Sequence, residues 1–451
     1  MKQRLLLTIK LSLVLFIVII SRVNAQSLIN ESFKYLGNDS VKLNVWLPYQ
    51  YSEQESYPVL YLNNYGAFSE FGLNVAAAMH SNNRSRNYPK VIVVEIIPFD
   101  NQSTTALLGY SYSQNTIDQN GKAFIDVLRN TIFPYINRKY SHSTFSTYLG
   151  HSYCASYGIQ LLYDYPDLFD SYMLFAPETL SENYTVRRPN IDSLNGKFIY
   201  MATGNKDVAR RVELNKSYTK VFSGYKELKF RGDLIEGGGH NDIVDLSLNE
   251  GLADLFKNYF SINRLDSADL VNSFKIEKER VKSVFKLETL DLRNHYYSLY
   301  NLAERYKNRT FLEFLLNNEA KLRNSPIHLF NIGYILSSSF DDRKSAEKCY
   351  TESIATAKKM GKPKEALNGY LWLSKFYSEE NPDKAMNLLL EGYNVCKSDL
   401  LVYSAATLAL KHKRLKSRGI EILDELLSRP NTLINYGITN DKLLELKNKN
   451  I

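Results

Sequence analysis

Gly150-His151-Ser152-Tyr153-Cys154 is the segment of this 451-residue chain whose residue types and setting could do chemistry. It follows an apolar-aromatic run, Phe145 to Leu149, and precedes a helical-looking stretch that opens at Ala155. A sharp strand-to-helix turn there would lift the Ser152 hydroxyl out at the carboxyl end of a parallel strand. It would also aim the next backbone N–H, that of Tyr153, at a developing oxyanion. The usual G-x-S-x-G pattern has glycine where Cys154 stands. Cys154 reads as a small packing residue and not as a second nucleophile, because Ser152 already occupies the turn.

A nucleophilic serine needs a base, and the base needs a group to orient it. On a sheet that presents its serine at such a turn, the order along the chain is serine, acid, histidine. Only His240, His295, His328 and His412 follow Ser152, and the last three fall in a region that reads as helical. His240 closes Glu236-Gly237-Gly238-Gly239-His240 after the strand-like Leu228 to Phe230, and it is the expected base. The glycines before it are read as loop flexibility. Asp207 follows the strand-like Phe198 to Ala202 through Thr203-Gly204-Asn205-Lys206, which makes it the expected acid. Asp242 and Asp245 come second because they lie so close to His240 in sequence, and a Ser-His dyad without a carboxylate stays open.

The elements that must position these residues are legible as periodicities. Val41, Leu43, Val45 and Leu47 alternate as in a half-buried strand, and Pro58 to Leu62, Val91 to Ile97 and Ser171 to Phe175 read as buried strands. Phe124, Val127, Leu128 and Ile132 recur at helical spacing, with Pro134 expected to bend or end the helix. Strands alternating with helices imply a mostly parallel sheet covered on both faces. After Arg264 the strand-like runs thin out and amphipathic helix takes over. Phe330, Tyr334, Ala346 and Tyr350 are echoed by Trp372, Phe376, Ala385 and Leu389, with alanines where two helices would cross closely. This resembles degenerate tetratricopeptide helix pairs, with a plain helical bundle as the alternative.

The N-terminus reads as a targeting segment. Lys2, Arg4 and Lys10 precede or open the apolar Leu11 to Ile20, too short to favour a membrane span, and Val23-Asn24-Ala25 offers small residues for signal-peptidase cleavage before Gln26. With its four basic residues and no acid removed, the formal net charge falls from +8 to +4. The remaining excess is scattered, which excludes a nucleic-acid stripe. Cys154, Cys349 and Cys396 cannot all pair within the chain and show no C-x-x-C, so neither a disulfide framework nor a zinc site is indicated. The expected organisation is a signal peptide over 1–25, an α/β domain over 27–263 and an α-helical domain over 270–451.

Several segments together resemble the putative-esterase family of α/β-hydrolases, which includes enterochelin-esterase-like, feruloyl-esterase-like and S-formylglutathione-hydrolase-like enzymes. Val45-Trp46-Leu47-Pro48 followed by Tyr57-Pro58-Val59-Leu60-Tyr61-Leu62 is similar to its opening strands. Phe133-Pro134-Tyr135-Ile136 with Tyr140 is similar to the helix before its nucleophile strand. Gly150-His151-Ser152, Tyr165-Pro166-Asp167-Leu168-Phe169 and Ala176-Pro177-Glu178 resemble its nucleophile segment, and His240 with Leu248, Gly251, Leu252 and Phe256 its closing helix. The resemblance spans roughly Glu31 to Ile262.

It implies ester hydrolysis through Ser152 and His240, with Asp207 as the acid and no metal or organic cofactor. Where the family carries His-Gly or Asp-Gly, this chain has Asn63-Asn64-Tyr65-Gly66, so Asn64 and Tyr65 are candidates for the second oxyanion N–H beside that of Tyr153. The expectation is an exported, periplasmic or secreted serine esterase. Its substrate would be a small-molecule or saccharide-linked ester, met in a pocket to which Tyr65, Tyr153 and the Tyr110 to Tyr112 loop could contribute. The helical domain would be free for a protein partner, and the mature chain would have no stable membrane span. The competing reading is a hydrolase fold that has lost activity and binds through its helices. A peptidase is disfavoured because no propeller-like domain precedes the catalytic one.

Overall fold

The computed structural model describes residues 27–34, 40–63, 71–86, 88–98, 103–111, 114–178, 194–429 and 433–450. The expected signal segment lies outside these. Among the described residues, no helix is long and apolar enough to cross a membrane.

The alternating segment forms a strand in which Val41, Leu43, Val45 and Leu47 are all buried, as period-two patterning requires. It is the second of eight strands in one sheet: β1 (Ser27–Lys34), β2 (Ser40–Leu47), β3 (Val59–Asn63), β4 (Ile92–Pro98), β7 (Ser146–His151), β8 (Ser171–Phe175), β9 (Phe198–Gly204) and β10 (Lys229–Ile235). A separate two-stranded ribbon pairs β5 (Tyr110–Ser111) with β6 (Thr116–Ile117). The order in the large sheet is β1-β2-β4-β3-β7-β8-β9-β10. β1 and β2 enter antiparallel, and every pairing from β4 to β10 is parallel. The central strands β3, β7, β8 and β9 are buried along their whole length, which is why they read as continuous apolar runs.

Helices cover the sheet. Gln119–Val127 is capped by Asp118, whose side chain accepts from the Gly121 N–H. Pro134 neither ends this helical run nor breaks it. Leu128–Ile132 and Asn137–Ser141 widen to π-helix on either side of the α-helical Phe133–Ile136, and the run stops only at His142, in the left-handed region. The wider turns accommodate a residue that cannot donate to the helix ladder. Leu128, Ile132, Ile136 and Tyr140 all remain buried, so core packing favours continuing the helix over ending it.

Past Ile235 no further strand occurs among the described residues. Two units separate, residues 1–261 with 276–291, and residues 262–275 with 292–451. The division therefore differs from a boundary between 263 and 270. Residues 276–291 pack on the α/β unit because they complete its polar and apolar surface. Ser143 and Leu287 form an antiparallel bridge, and the Glu288 and Thr289 N–H groups donate to Ser56 Oγ at 3.1 and 3.0 Å. Lys286 meets Asp170 at 2.6 Å. The Phe285 ring lies 5.1 to 5.9 Å from those of Phe145, Tyr259 and Phe256.

The second unit is helical throughout its described length apart from its turns. Its helices start where short polar side chains cap them: Asn308, Ser325, Asp342 and Asn381 each accept from an N–H three residues on. Ala346 and Ala385 are fully buried, as expected, and glycines also stand at close approaches between helices. A β-carbon on Gly333 would sit 2.8 Å from the Tyr350 ring, and one on Gly392 would sit 2.7 Å from that of Tyr370.

Phe285 is 1% exposed, so Phe285→Ala should lower the unfolding free energy of the α/β unit by about 3 to 5 kcal/mol, read as an earlier urea midpoint. An unchanged midpoint would mean that residues 276–291 contribute nothing to that unit.

Candidate active site

Ser152 stands between β7 and the helix Tyr153–Asp164 with φ 56° and ψ −118°, a conformation that L-residues avoid. The turn is tight enough to dictate its neighbours. A β-carbon on Gly150 would lie 2.6 Å from both the carbonyl carbon and the oxygen of Cys154, so glycine is required there. Cys154 is fully buried, its thiol is pushed well above its ordinary pKa by burial, and its carbonyl accepts from Tyr148 Oη at 2.8 Å. The departure from G-x-S-x-G is thus absorbed by the core, and a neutral buried thiol is inert.

The parallel strands deliver the remaining groups to the same edge of the sheet. Asp207 lies just past the end of β9 and His240 just past the end of β10. His240 Nε2 is 3.0 Å from Ser152 Oγ and Nδ1 is 2.9 Å from Asp207 Oδ2. Asp242 and Asp245 do not face the imidazole. Asp242 Oδ1 instead accepts from the Gly239 N–H at 2.6 Å, and Asp245 is exposed on the next helix. Of the glycines before His240, Gly237 is there for its backbone conformation, since a β-carbon on it would meet nothing within 4 Å, and the close approach in this region falls on Gly204. Gly237 has φ 77°, and the Gly238 carbonyl lies 2.1 Å from where a β-carbon on Gly204 would be.

The Asp207 side chain is 1% exposed. Burial by itself would raise its pKa. Hydrogen bonds from Arg211, His240 and the Val208 N–H outweigh that and hold the carboxyl below its ordinary value. Oδ1 takes Arg211 Nη1 and the Val208 N–H, both at 2.7 Å, which leaves Oδ2 to the imidazole. Arg211 also pairs with the buried Glu178, and Arg210 reaches Glu178 at 2.8 Å. Glu178 is pinned in turn to the helix after the serine, because Ser156 Oγ accepts from its N–H and donates to its carbonyl, both at 2.7 Å. Sequence reasoning missed Arg211. The available signal was an arginine four residues past a candidate acid at a helix start.

The Tyr153 N–H heads the helix directly after Ser152, as its oxyanion role would require. Its ring is not a pocket wall. The hydroxyl donates to the Tyr110 carbonyl at 2.5 Å, and both rings sit in the core. Asn64 and Tyr65, like Tyr112, lie outside the described residues. With Asp207 ionised, the hydrogen on His240 belongs to Nδ1, leaving Nε2 to accept from the Ser152 hydroxyl. Such a chain of donors can raise the nucleophilicity of a serine.

A family model described as putative esterase matches residues 34–252. Among solved structures, an uncharacterised protein from Capnocytophaga ochracea is 14% identical, with a TM-score of 0.54, covering 72% of this chain and 93% of its own; it shares the fold. An IroE-like serine hydrolase from Shewanella oneidensis is 17% identical, with a TM-score of 0.48, covering 63% of this chain and 96% of its own. The feruloyl esterase module from Clostridium thermocellum is 17% identical, with a TM-score of 0.40, covering 51% and 88%. No curated protein matches the chain.

Restoring the usual glycine should gain nothing. Cys154→Gly should lower stability by about 1 to 3 kcal/mol, from a lost buried side chain and a more flexible helix start, and leave fluorophosphonate labelling of Ser152 within about threefold. Gly150→Ala should slow that labelling by at least about tenfold, because only backbone atoms could make room. Comparable labelling in wild type and Gly150→Ala would show that the turn tolerates a β-carbon.

Proposed function

Residues 34–252 match the putative-esterase family, and on that premise we propose that this chain is an exported serine esterase acting through an acyl-enzyme. The observation that carries this reading is the continuous run of hydrogen bonds from Ser152 Oγ through the His240 ring to Asp207, at 3.0 and 2.9 Å. Ser152 Oγ attacks the ester carbonyl while its proton passes to His240 Nε2, and the tetrahedral oxyanion is met by the Tyr153 N–H. The C–O bond to the alcohol then breaks as Nε2 returns the proton to the leaving oxygen. Water, deprotonated by the same nitrogen, releases the acid and regenerates the serine. Asp207 holds the Nδ1–H tautomer and stabilises the imidazolium that forms in each half-reaction.

The substrate of this reading is a small-molecule or saccharide-linked carboxylic ester. Its support is the access to the site, since the His240 side chain is 24% exposed while Asp207 is sealed beneath it. The helical unit, with its tetratricopeptide-like pairing, is read as the surface for a protein partner, because repeated helical hairpins leave extended faces free. Export rests on the basic, then apolar, then small-residue order of residues 1–25.

Ser152→Ala and His240→Ala should each lower turnover of a short chromogenic ester by about 10³-fold or more, and Asp207→Asn by about 10²-fold or more. Wild-type activity in the serine and histidine variants would sink the assignment, and a chain that no fluorophosphonate labels would be a binding protein. If Asp207→Asn stays within a few-fold of wild type, the site works as a dyad. Export is read separately: mass spectrometry of the protein from its host should find Gln26 at the N-terminus, and an intact Met1 would refute cleavage.

A further inference from the structure

One residue before the serine, β7 ends on a histidine to which the hydrolysis gives no task. His151 is 4% exposed, and its Nε2 lies 2.8 Å from the main-chain carbonyl oxygen of His240. The two imidazoles stand 4.7 Å apart between centroids, tilted by 44°. A carbonyl oxygen only accepts, so the hydrogen of this bond sits on His151 Nε2. We infer that His151 is a positioning residue that holds the backbone of the catalytic base, donating from Nε2 to the His240 carbonyl so that the ring stays aligned between Ser152 and Asp207. The kinetic consequence rests on the esterase reading above; the hydrogen bond and its tautomer do not.

The need for such a clamp follows from the loop. His240 comes after Gly237-Gly238-Gly239, a backbone with little conformational preference of its own. Two other bonds that restrain this loop are Lys206 N–H to the Gly238 carbonyl at 2.9 Å before the base and Gly239 N–H to the Asp242 side chain at 2.6 Å across it, and neither of these two engages the His240 main chain itself. The imidazole's own bond to Ser152 cannot fix its place during turnover, because Nε2 changes from acceptor to donor as the proton moves. The His151 bond is to the backbone and keeps the same donor and acceptor throughout.

Charge supports the same role. A second cation beside His240 would oppose the imidazolium that forms in each half-reaction. Burial, helped by His240 and Arg211 nearby, pushes the His151 pKa down to about 4, against the raising effects of its bond to the His240 carbonyl and of Asp207. His151 therefore stays neutral, with its hydrogen committed to the clamp, while His240 gains and loses a proton.

Two measurements on the full-length protein test this. Long-range proton–nitrogen correlation spectra, with the His151 signals assigned by their loss in His151→Gln, should show the Nε2–H tautomer, unchanged from about pH 5 to about pH 8. An Nδ1–H pattern, or protonation near the ordinary histidine value, would overturn the inference. In kinetics, His151→Leu should lose about 10- to 100-fold in kcat with KM within about threefold, since a base displaced by an ångström harms chemistry more than binding. His151→Gln, whose amide nitrogen reaches nearly the same place as Nε2, should recover most of that loss. Full kcat in the leucine variant, or equal losses in both variants with matching melting curves, would overturn the clamp, the second by showing that the ring only fills space. Where the leucine variant does not fold, His151→Asn takes its place, its shorter amide falling short of the carbonyl. A wild type that hydrolyses no ester would defeat the esterase reading and leave the imidazole spectrum to decide the clamp.

Discussion

The left-handed turn at Ser152 is the constraint on which the rest of the site depends. A non-glycine residue in such a conformation costs about 1 to 3 kcal/mol and persists only where its surroundings allow nothing else. Here the Ser152 N–H is drawn onto the Phe175 carbonyl of the adjacent strand at 2.8 Å, while its own carbonyl accepts from Ala155 and Ser156 at 3.0 and 3.1 Å. Gly150 lets the strand pass within contact of the following helix, whose first ten residues are all buried. With strand, helix and neighbouring strand all packed, the hydroxyl has one place to be.

The charges around that hydroxyl follow from burying an acid. A carboxylate sealed from water must be paired and fully hydrogen-bonded, or it takes up a proton. Asp207 divides the task between its oxygens, Oδ1 facing Arg211 and Val208, Oδ2 facing His240. Arg211 would otherwise neutralise the acid from a single side, but it is itself shared with Glu178, which Arg210 also meets. The result is a compact network of two acids and two arginines, anchored through Ser156 to the serine's own helix. The groups bonded to the His240 imidazole and the groups that hold Ser152 are therefore mechanically joined.

The helical unit is built by simpler means. Local capping starts its helices, and glycine-to-tyrosine contacts set how closely they pack. Along the turns, Arg309 meets Asp342, Arg343 meets Glu380, and Arg414 meets Asp383, so that one hairpin's arginine pairs with a neighbour's acid. Exposed pairs of this kind add little stability each. Their value is in register, since each links two hairpins at a defined spacing.

What the sequence by itself determined is what local pattern encodes. Alternation placed β2, apolar runs placed β3, β4, β7, β8 and β9, and the loss of strand patterning after Arg264 marked the start of the helices. Gly150-His151-Ser152 with the later Asp207 and His240 was legible because each lies just past a strand end, where a parallel sheet gathers its loops. Tertiary structure decided whatever depended on which loops lie side by side. Asp207 meets His240, and Asp242 does not, because β9 and β10 are paired in register so that their ends coincide. Pro134 stayed inside its helix because the burial of Leu128, Ile132 and Ile136 outweighed one lost hydrogen bond. Residues 276–291 joined the α/β unit, and His151 and Arg211 joined the site, through contacts between segments far apart in the chain. Periodicity reports which face of an element is buried; the partner that buries it is set only when the chain closes on itself.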